Sequence, residues 1–219
     1  MSVTDKAAAV VPQLRFAVER CEPLDYAAVP TLTFALAIEE AGGVPIRSVL
    51  LDVQIQIAAR ARRYGDGEQD RLLELFGTPE RWATTLRTLP WTRATVVVPP
   101  FEGRTCVDLQ IPCTYDFEVT AARYLAALEE GEVPLELMFS GSVFYAAPGG
   151  LLQTARIAWD SDVSYRMPVA AWRAALDRHF PGAAWLRIQR SSFDRLSAYK
   201  ARHAFTSWDA AIDSLLEAR

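Results

Sequence analysis

Residues 31–39 alternate strictly: Leu32, Phe34, Leu36 and Ile38 share one face of an extended chain, and Thr33, Ala35 and Ala37 share the other. A two-residue period of this kind predicts a strand with an apolar face. After Gly42 and Gly43, which permit a reversal, the period returns, with Val49, Leu51, Val53, Ile55 and Ile57 set against Asp52, Gln54 and Gln56. Two such segments joined by a glycine-containing turn predict an antiparallel hairpin over 31–57. A chain that begins this way must build a β body and use its later segments to cover the apolar side.

The next segment changes period. Leu72, Leu73, Leu75 and Phe76 cluster as in a short helix starting near Glu68 and stopped by Gly77, and Thr78-Pro79 then opens a second helix with Trp82 and Leu86 one turn apart. Strands are predicted again over Thr92–Val98 and Thr105–Ile111, and alternation continues through Tyr115, Phe117 and Val119 before a helix over Ala121–Glu130 that ends at Gly131. Val133–Tyr145 reads as a long strand whose Gly141 marks a bulge or a close approach of two backbones. With the face formed by Leu151, Gln153, Ala155, Ile157 and Trp159, and the turn at Pro148-Gly149-Gly150, residues 133–159 predict a second hairpin.

Pro168 suits the first position of a helix carrying Trp172 and Leu176, and further helices are expected over Phe193–His203 and Trp208–Ala218, the last with a Thr206/Asp209 capping box. Strands followed by helices argue for α+β rather than a parallel sheet. The expected architecture is an antiparallel β-sandwich-like body with short inserted helices and a helical C-terminal tail. Residues 1–11 form a flexible N-terminus, 12–167 a β-rich body, and 168–219 a helical tail packed on the body, in a single domain overall. With 219 residues, 51% of them hydrophobic, the chain can bury roughly 70% of its unfolded surface without a disulfide or structural metal. Leu36, Val53, Leu137 and Ile157 are expected in the core, and Trp159, Trp172 and Trp185 at the junction of body and tail.

Charge narrows the function classes. The net charge of −4 has the wrong sign for a protein that embraces nucleic acid. It is unevenly spread, because residues 168–219 carry eight basic against five acidic side chains, a +3 tail beside a −7 body. Cys21, Cys106 and Cys113 make an odd set without a CxxC pair, which points to free thiols and a cytoplasmic setting. The apolar run at Ala7–Val11 is too short for a signal peptide, and no run approaches the 18 or more residues of a membrane span.

The usual chemical constellations are not written in this chain. Its two histidines, His179 and His203, sit near expected helix ends, where positive charge is favourable, and no HExxH or other zinc-ligand spacing accompanies them. Cys106 and Cys113 lack further ligands, Gly149-Gly150 lies in a turn rather than between a strand and a helix, and Arg60, Arg62, Arg63 and the stretch Arg187–Arg202 read as solvated faces. Asp116 and Glu118 share a strand face and form the one carboxylate pair suited to acid–base chemistry. No cofactor and no bound metal are expected.

Four segments carry more than periodicity: LLELFGTPERW at Leu72–Trp82, VPPFEG at Val98–Gly103, IPCTYDFEV at Ile111–Val119 and VPLELMFSGSVFY at Val133–Tyr145. Together they resemble an uncharacterised bacterial family, labelled only as a domain of unknown function and associated with gene clusters for nickel–iron uptake hydrogenases. The likeness runs from about Leu14 to Leu216. It implies a working context and transfers no catalytic residue. The chain lacks the cysteine motifs of iron–sulfur and nickel-bearing subunits.

The expected function is therefore a non-enzymatic accessory or protein-interaction role, supporting a hydrogenase system through contact with its subunits or maturation factors. The alternatives are a small-molecule-binding sandwich and a carboxylate enzyme built on Asp116 and Glu118. The candidate partner-binding segment is Pro99, Pro100, Phe101, Glu102 and Gly103: it cannot continue a central strand, its prolines limit the entropy lost on docking, and Phe101 offers an aromatic anchor if it faces outward.

Overall fold

Both alternating segments are strands, yet they are not partners. The computed structural model describes residues 11–113, 119–147, 150–158, 160–182 and 187–218. Strand β2 (Thr31–Glu40) lies in the middle of one antiparallel sheet, between β1 (Leu14–Pro23) and β5 (Arg104–Pro112). Strand β3 (Ile46–Ile57) lies inside a second sheet, between β4 (Leu89–Val98) and β6 (Glu132–Ala146). The expected 31–57 hairpin is thus corrected to a corner at which the chain leaves one sheet for the other. The burial of β2 gives the reason: Ala35 and Ala37 on its second face are buried along with Leu32, Phe34, Leu36 and Ile38, as befits a central strand covered on both sides.

The second hairpin stands. Strand β7 (Leu152–Arg156) pairs antiparallel with the end of β6, Tyr145 opposite Gln153. A strand that the periodicity does not announce, β8 (Asp162–Pro168), continues along the same edge and pairs with the start of β6. Between the pairs Ser142–Arg156 and Met138–Asp162 the outer chain takes six residue steps against four on β6, a register difference of two residues that marks a bulge between β7 and β8. Gly141 confirms a close approach of backbones: with φ at +141°, a Cβ built on it would lie 2.0 Å from the Leu50 carbonyl oxygen.

The two sheets enclose one core. Phe16 stacks on Phe139 at 4.3 Å, and Phe34 meets Trp91 and Tyr165 edge-on at 6.2 and 6.1 Å, each pair joining opposite sheets. Leu36, Val53 and Leu137 are fully buried as expected, whereas Ile157, at the start of the bulge, is half-buried. Helices α1 (Asp66–Phe76) and α3 (Thr120–Ala127) pack on each other beyond the strand ends, the short α2 (Trp82–Thr85) follows α1, and rings of Tyr64, Phe76, Trp82 and Tyr124 meet edge-on between them. Gly77 ends α1 as expected, its N–H bonding to the Leu73 carbonyl.

Helix α4 (Val169–Asp177) packs on β1, β2 and β8, which places it in the body. The chain divides into compact units at 184/185 rather than at 168. The second unit contains α5 (Arg190–Arg202) and α6 (Trp208–Glu217). Its α6 cap is Ser207, whose hydroxyl accepts from the Ala210 N–H at 3.0 Å, one residue along from the expected Thr206. Among the described residues, no helix is long and apolar enough to cross a membrane. The expected strand residues Tyr115–Glu118, with Asp116 and Glu118, the turn residues Pro148 and Gly149, and Trp159 and Trp185 lie outside the described residues.

Candidate functional site

Pro99–Gly103 connects β4 to β5 and so carries the chain back from the second sheet to the first. It runs beside the other corner, at residues 41–45. Phe101 exchanges backbone hydrogen bonds with Ile46 at 3.0 and 3.1 Å, and the Glu40 N–H bonds to the Gly103 carbonyl at 2.7 Å. That pairing turns the Phe101 ring inward, leaving it 9% exposed, while Pro99, Pro100, Glu102 and Gly103 remain at the surface. The aromatic anchor expected from the sequence is a core residue.

Both corners hang on Glu40. Its carboxylate is buried and accepts from the backbone N–H groups of Val44 at 2.7 Å, Gly42 at 3.0 Å and Gln13 at 3.2 Å. Burial alone would raise its pKa, but the amides of Val44, Gly42 and Gln13 outweigh burial and hold it below the usual glutamate range. The charge is satisfied by backbone dipoles, with no cation paired to it among the described residues, and it fixes a turn in which Gly43 sits at φ +73°.

Next to this clamp, the solvent side of the second sheet departs from ordinary alternation. Over most of its length this face is polar, with Asp52, Gln54, Arg93, Thr95 and Ser140, and Arg93 forms a fork with both Asp52 oxygens. The Arg93 hydrogen bond holds the Asp52 carboxyl below its usual range despite some burial. Toward the corner exposed apolar side chains stand among polar ones such as Ser142, Thr154 and Arg156. Val97 and Leu50 are cross-strand partners, Ala146 opposes Leu152 across the β6–β7 pair, and Val97 and Leu152 stand 65% and 66% exposed. Pro99 and Pro100 extend this apolar ground onto the loop.

The remaining candidates are structural. His179 bonds through its two ring nitrogens to the carbonyls of Ala175 and Ala27 at 3.1 and 2.9 Å, and His203 ends α5, its ring 4.4 Å from that of Tyr199. Cys106 is exposed and Cys113 buried, at opposite ends of β5, and all three cysteines are free. Burial pushes the Cys21 and Cys113 thiols up to about 12, far from a reactive thiolate. Arg60 donates to the carbonyls of Leu86 and Ala83. Arg62, read from sequence as solvated, is buried against Glu68 at 2.5 Å and also donates to the carbonyls of Glu130 and Glu132 at 2.7 and 2.6 Å. Among the described residues no group of three or more His, Cys, Asp or Glu side chains is placed to hold a metal. An open cleft of about 670 Å³ lies between the start of β1 and 156–163, with Arg15, Arg156, Asp160 and Asp162 on its walls.

Sequence reasoning missed Glu40 and Glu68, the two carboxylates buried among the described residues. For Glu68 a signal existed, since it stands three residues after Gly65 and its carboxylate accepts the Gly65 N–H at 3.3 Å, half of a capping box. For Glu40, at the end of an alternating strand, local pattern offered nothing: its donors are Gly42 and Val44 in the corner itself and Gln13 just ahead of β1.

Comparison with known proteins supplies a family and no activity. The model of a family of unknown function, DUF6084, matches residues 11–219, and the chain belongs to that family. No curated protein matches. Among solved structures, similarity is found to the ApaA protein of Bordetella pertussis, at 10% identity and a TM-score of 0.27, covering 72% of this chain and 95% of that one. A CARDB domain from Pyrococcus furiosus, crystallised with di-metal ions, is 11% identical at a TM-score of 0.27, covering 76% and 98%. Likeness at this level bears on neither fold nor function.

Proposed function

We propose that this member of the DUF6084 family is a non-enzymatic accessory protein that works by binding another protein, and that its partner belongs to a nickel–iron uptake hydrogenase system. The observation that carries the reading is the exposed pair Leu50 and Val97, facing each other across β3 and β4 on the solvent side of the second sheet, with exposed Leu152 further along the same face. Contiguous exposed apolar surface with a polar surround is what protein interfaces use. Its setting favours docking: the residues stand on paired strands, and the adjoining Pro99-Pro100 is stiff, so little conformational entropy is lost on contact. The sequence likeness to proteins encoded beside hydrogenase genes supports the choice of partner. The substitutions V97D and L152D together test it, because both side chains already face solvent. Native pull-down should lose hydrogenase subunits or maturation factors while the melting temperature stays within a degree or two. Retention of the same partners by the double variant would overturn the proposal and move weight to the second reading, a small-molecule-binding sandwich, which the cleft beside β1 supports.

A further inference from the structure

Residues 185–219 form a compact unit of their own, too short to build a self-sufficient core. Units below roughly 40 residues ordinarily need a staple or an association to stay folded. What holds the two helices together is thin. Tyr199 and Ser214 share a hydrogen bond of 3.0 Å, the Phe193 and Trp208 rings lie 5.4 Å apart, Lys200 caps the Phe205 carbonyl at 2.9 Å, and its ammonium sits 5.4 Å above the Trp208 ring. Among the described residues of the unit only Ala211 is buried.

The outward side of α6 is ordered in two rows. Ile212 and Leu216 continue, at four-residue steps, the line that starts at Trp208, whose ring is engaged on one side by Phe193 and Lys200 of α5, and all three are exposed, Leu216 by 70%. Leu215, also exposed, widens this line. Immediately beside it Asp209, Asp213 and Glu217 repeat at the same interval. Helix α5 has the opposite sign: Arg190, Arg195, Lys200 and Arg202 against Asp194 alone, or +3, whereas α6 carries −3. Among the described residues no ion pair joins these acids to the cations of α5, and Arg190 pairs instead with Asp194, 3.1 Å away on α5 itself.

We propose that this helical unit joins two copies of the chain, the basic α5 of one copy lying along the acidic α6 of the other over the exposed Trp208–Ile212–Leu216 row. A two-fold interface sets one patch against itself, so the patch must be self-complementary. One that is basic on one helix and acidic on the other meets that condition, whereas a patch of a single sign repels its own copy. The charges set the register and exclude wrong pairings, and the apolar row supplies the attraction. The inference is independent of the sheet face proposed above, whose residues lie in the other unit.

Sedimentation or light scattering of the full chain tests it at roughly 50 µM, above the micromolar dissociation constants of modest interfaces. Wild type should show twice the 24.3 kDa chain mass. D209K with D213K reverses α6, R190E with R195E reverses α5, and each variant alone should be monomeric. Mixed one to one, the two should recover the dimer, since one contact then joins the two reversed helices and the other the two unaltered ones, each of opposite sign. That recovery also shows that neither variant has failed through misfolding. As a variant of the apolar row, I212K should be monomeric with its helical circular dichroism intact. A monomeric wild type, charge variants that stay dimeric, or a mixture that stays monomeric would each overturn the inference.

Discussion

The body buries two carboxylates in different ways. Glu40 accepts from backbone N–H groups and has no counter-charge among the described residues, and it ties the start of β1 and the end of β2 to the corner that crosses between the sheets. Glu68 is held by the Arg62 guanidinium and by the N–H groups of Gly65 and Glu129, the latter at 2.8 Å, and it ties α1 to the turn before β6. Arg62 in turn depends on Glu68: its side chain is 9% exposed, two of its nitrogens reach carbonyls, and its Nε has no partner. Removing Glu40 strands dipoles, whereas removing Glu68 strands a charge. Similar burial therefore does not mean similar cost.

The comparison breaks most visibly at Glu68. Glu68→Ala should lower unfolding stability by about 3–5 kcal/mol, because an uncompensated guanidinium is left in the interior. Replacing both partners with apolar residues, R62M with E68L, should recover most of that loss. Urea denaturation measures both, and a single-variant loss under about 1 kcal/mol would show that water reaches Arg62 readily. Glu40→Ala should cost less, about 1–3 kcal/mol, since it leaves neutral donors unpaired and those of Gly42 and Gln13 lie close enough to the surface to find water. A loss at Glu40 equal to that at Glu68 would erase the distinction between dipole and charge.

The smallest effect is the most diagnostic. Because the folded-state pKa of Glu40 lies below its ordinary value, the carboxylate contributes stability fully above that ordinary value and loses it as pH falls through the folded one. The stability gap between wild type and E40Q should be widest near neutrality and close on acidification, as denaturation curves at successive pH values would show. A gap independent of pH would mean that the amides hold the protonated acid as well as they hold the carboxylate.

Strands are legible where alternation is long and unbroken, as in β2, β3 and β6. Strand β1 carries the same period in Leu14, Phe16 and Val18, but its register shifts between Val18 and Arg20, and charged residues dominate its outer face. Strand β8 is seven residues long, with Val163, Tyr165 and Met167 set between Asp162, Ser164 and Arg166, too short a pattern to stand out ahead of the helix at Pro168. The false hairpin at 31–57 has a deeper cause. A glycine pair tells that the chain turns, not whether the returning strand pairs beside its neighbour or crosses to the facing sheet, and here the decision rests with Glu40, a residue without local pattern. Phe101 shows the same limit: Pro99-Pro100 does end a strand, but the direction of the next side chain depends on a bridge to Ile46, more than fifty residues away. On the sheet face, Leu50 and Val97 become visible as apolar residues at polar positions only once their pairing is known.

Gly141 gives the family a marker that does not depend on what its members bind. The Leu50 carbonyl, which fills the space a side chain would need there, belongs to a residue flanked by Val97 on one side and Ser142 on the other, so neither neighbour can step back to make room. Surface residues of this protein are free to drift with their partners, but a descendant that loses the glycine at this place must first rebuild the middle of its sheet.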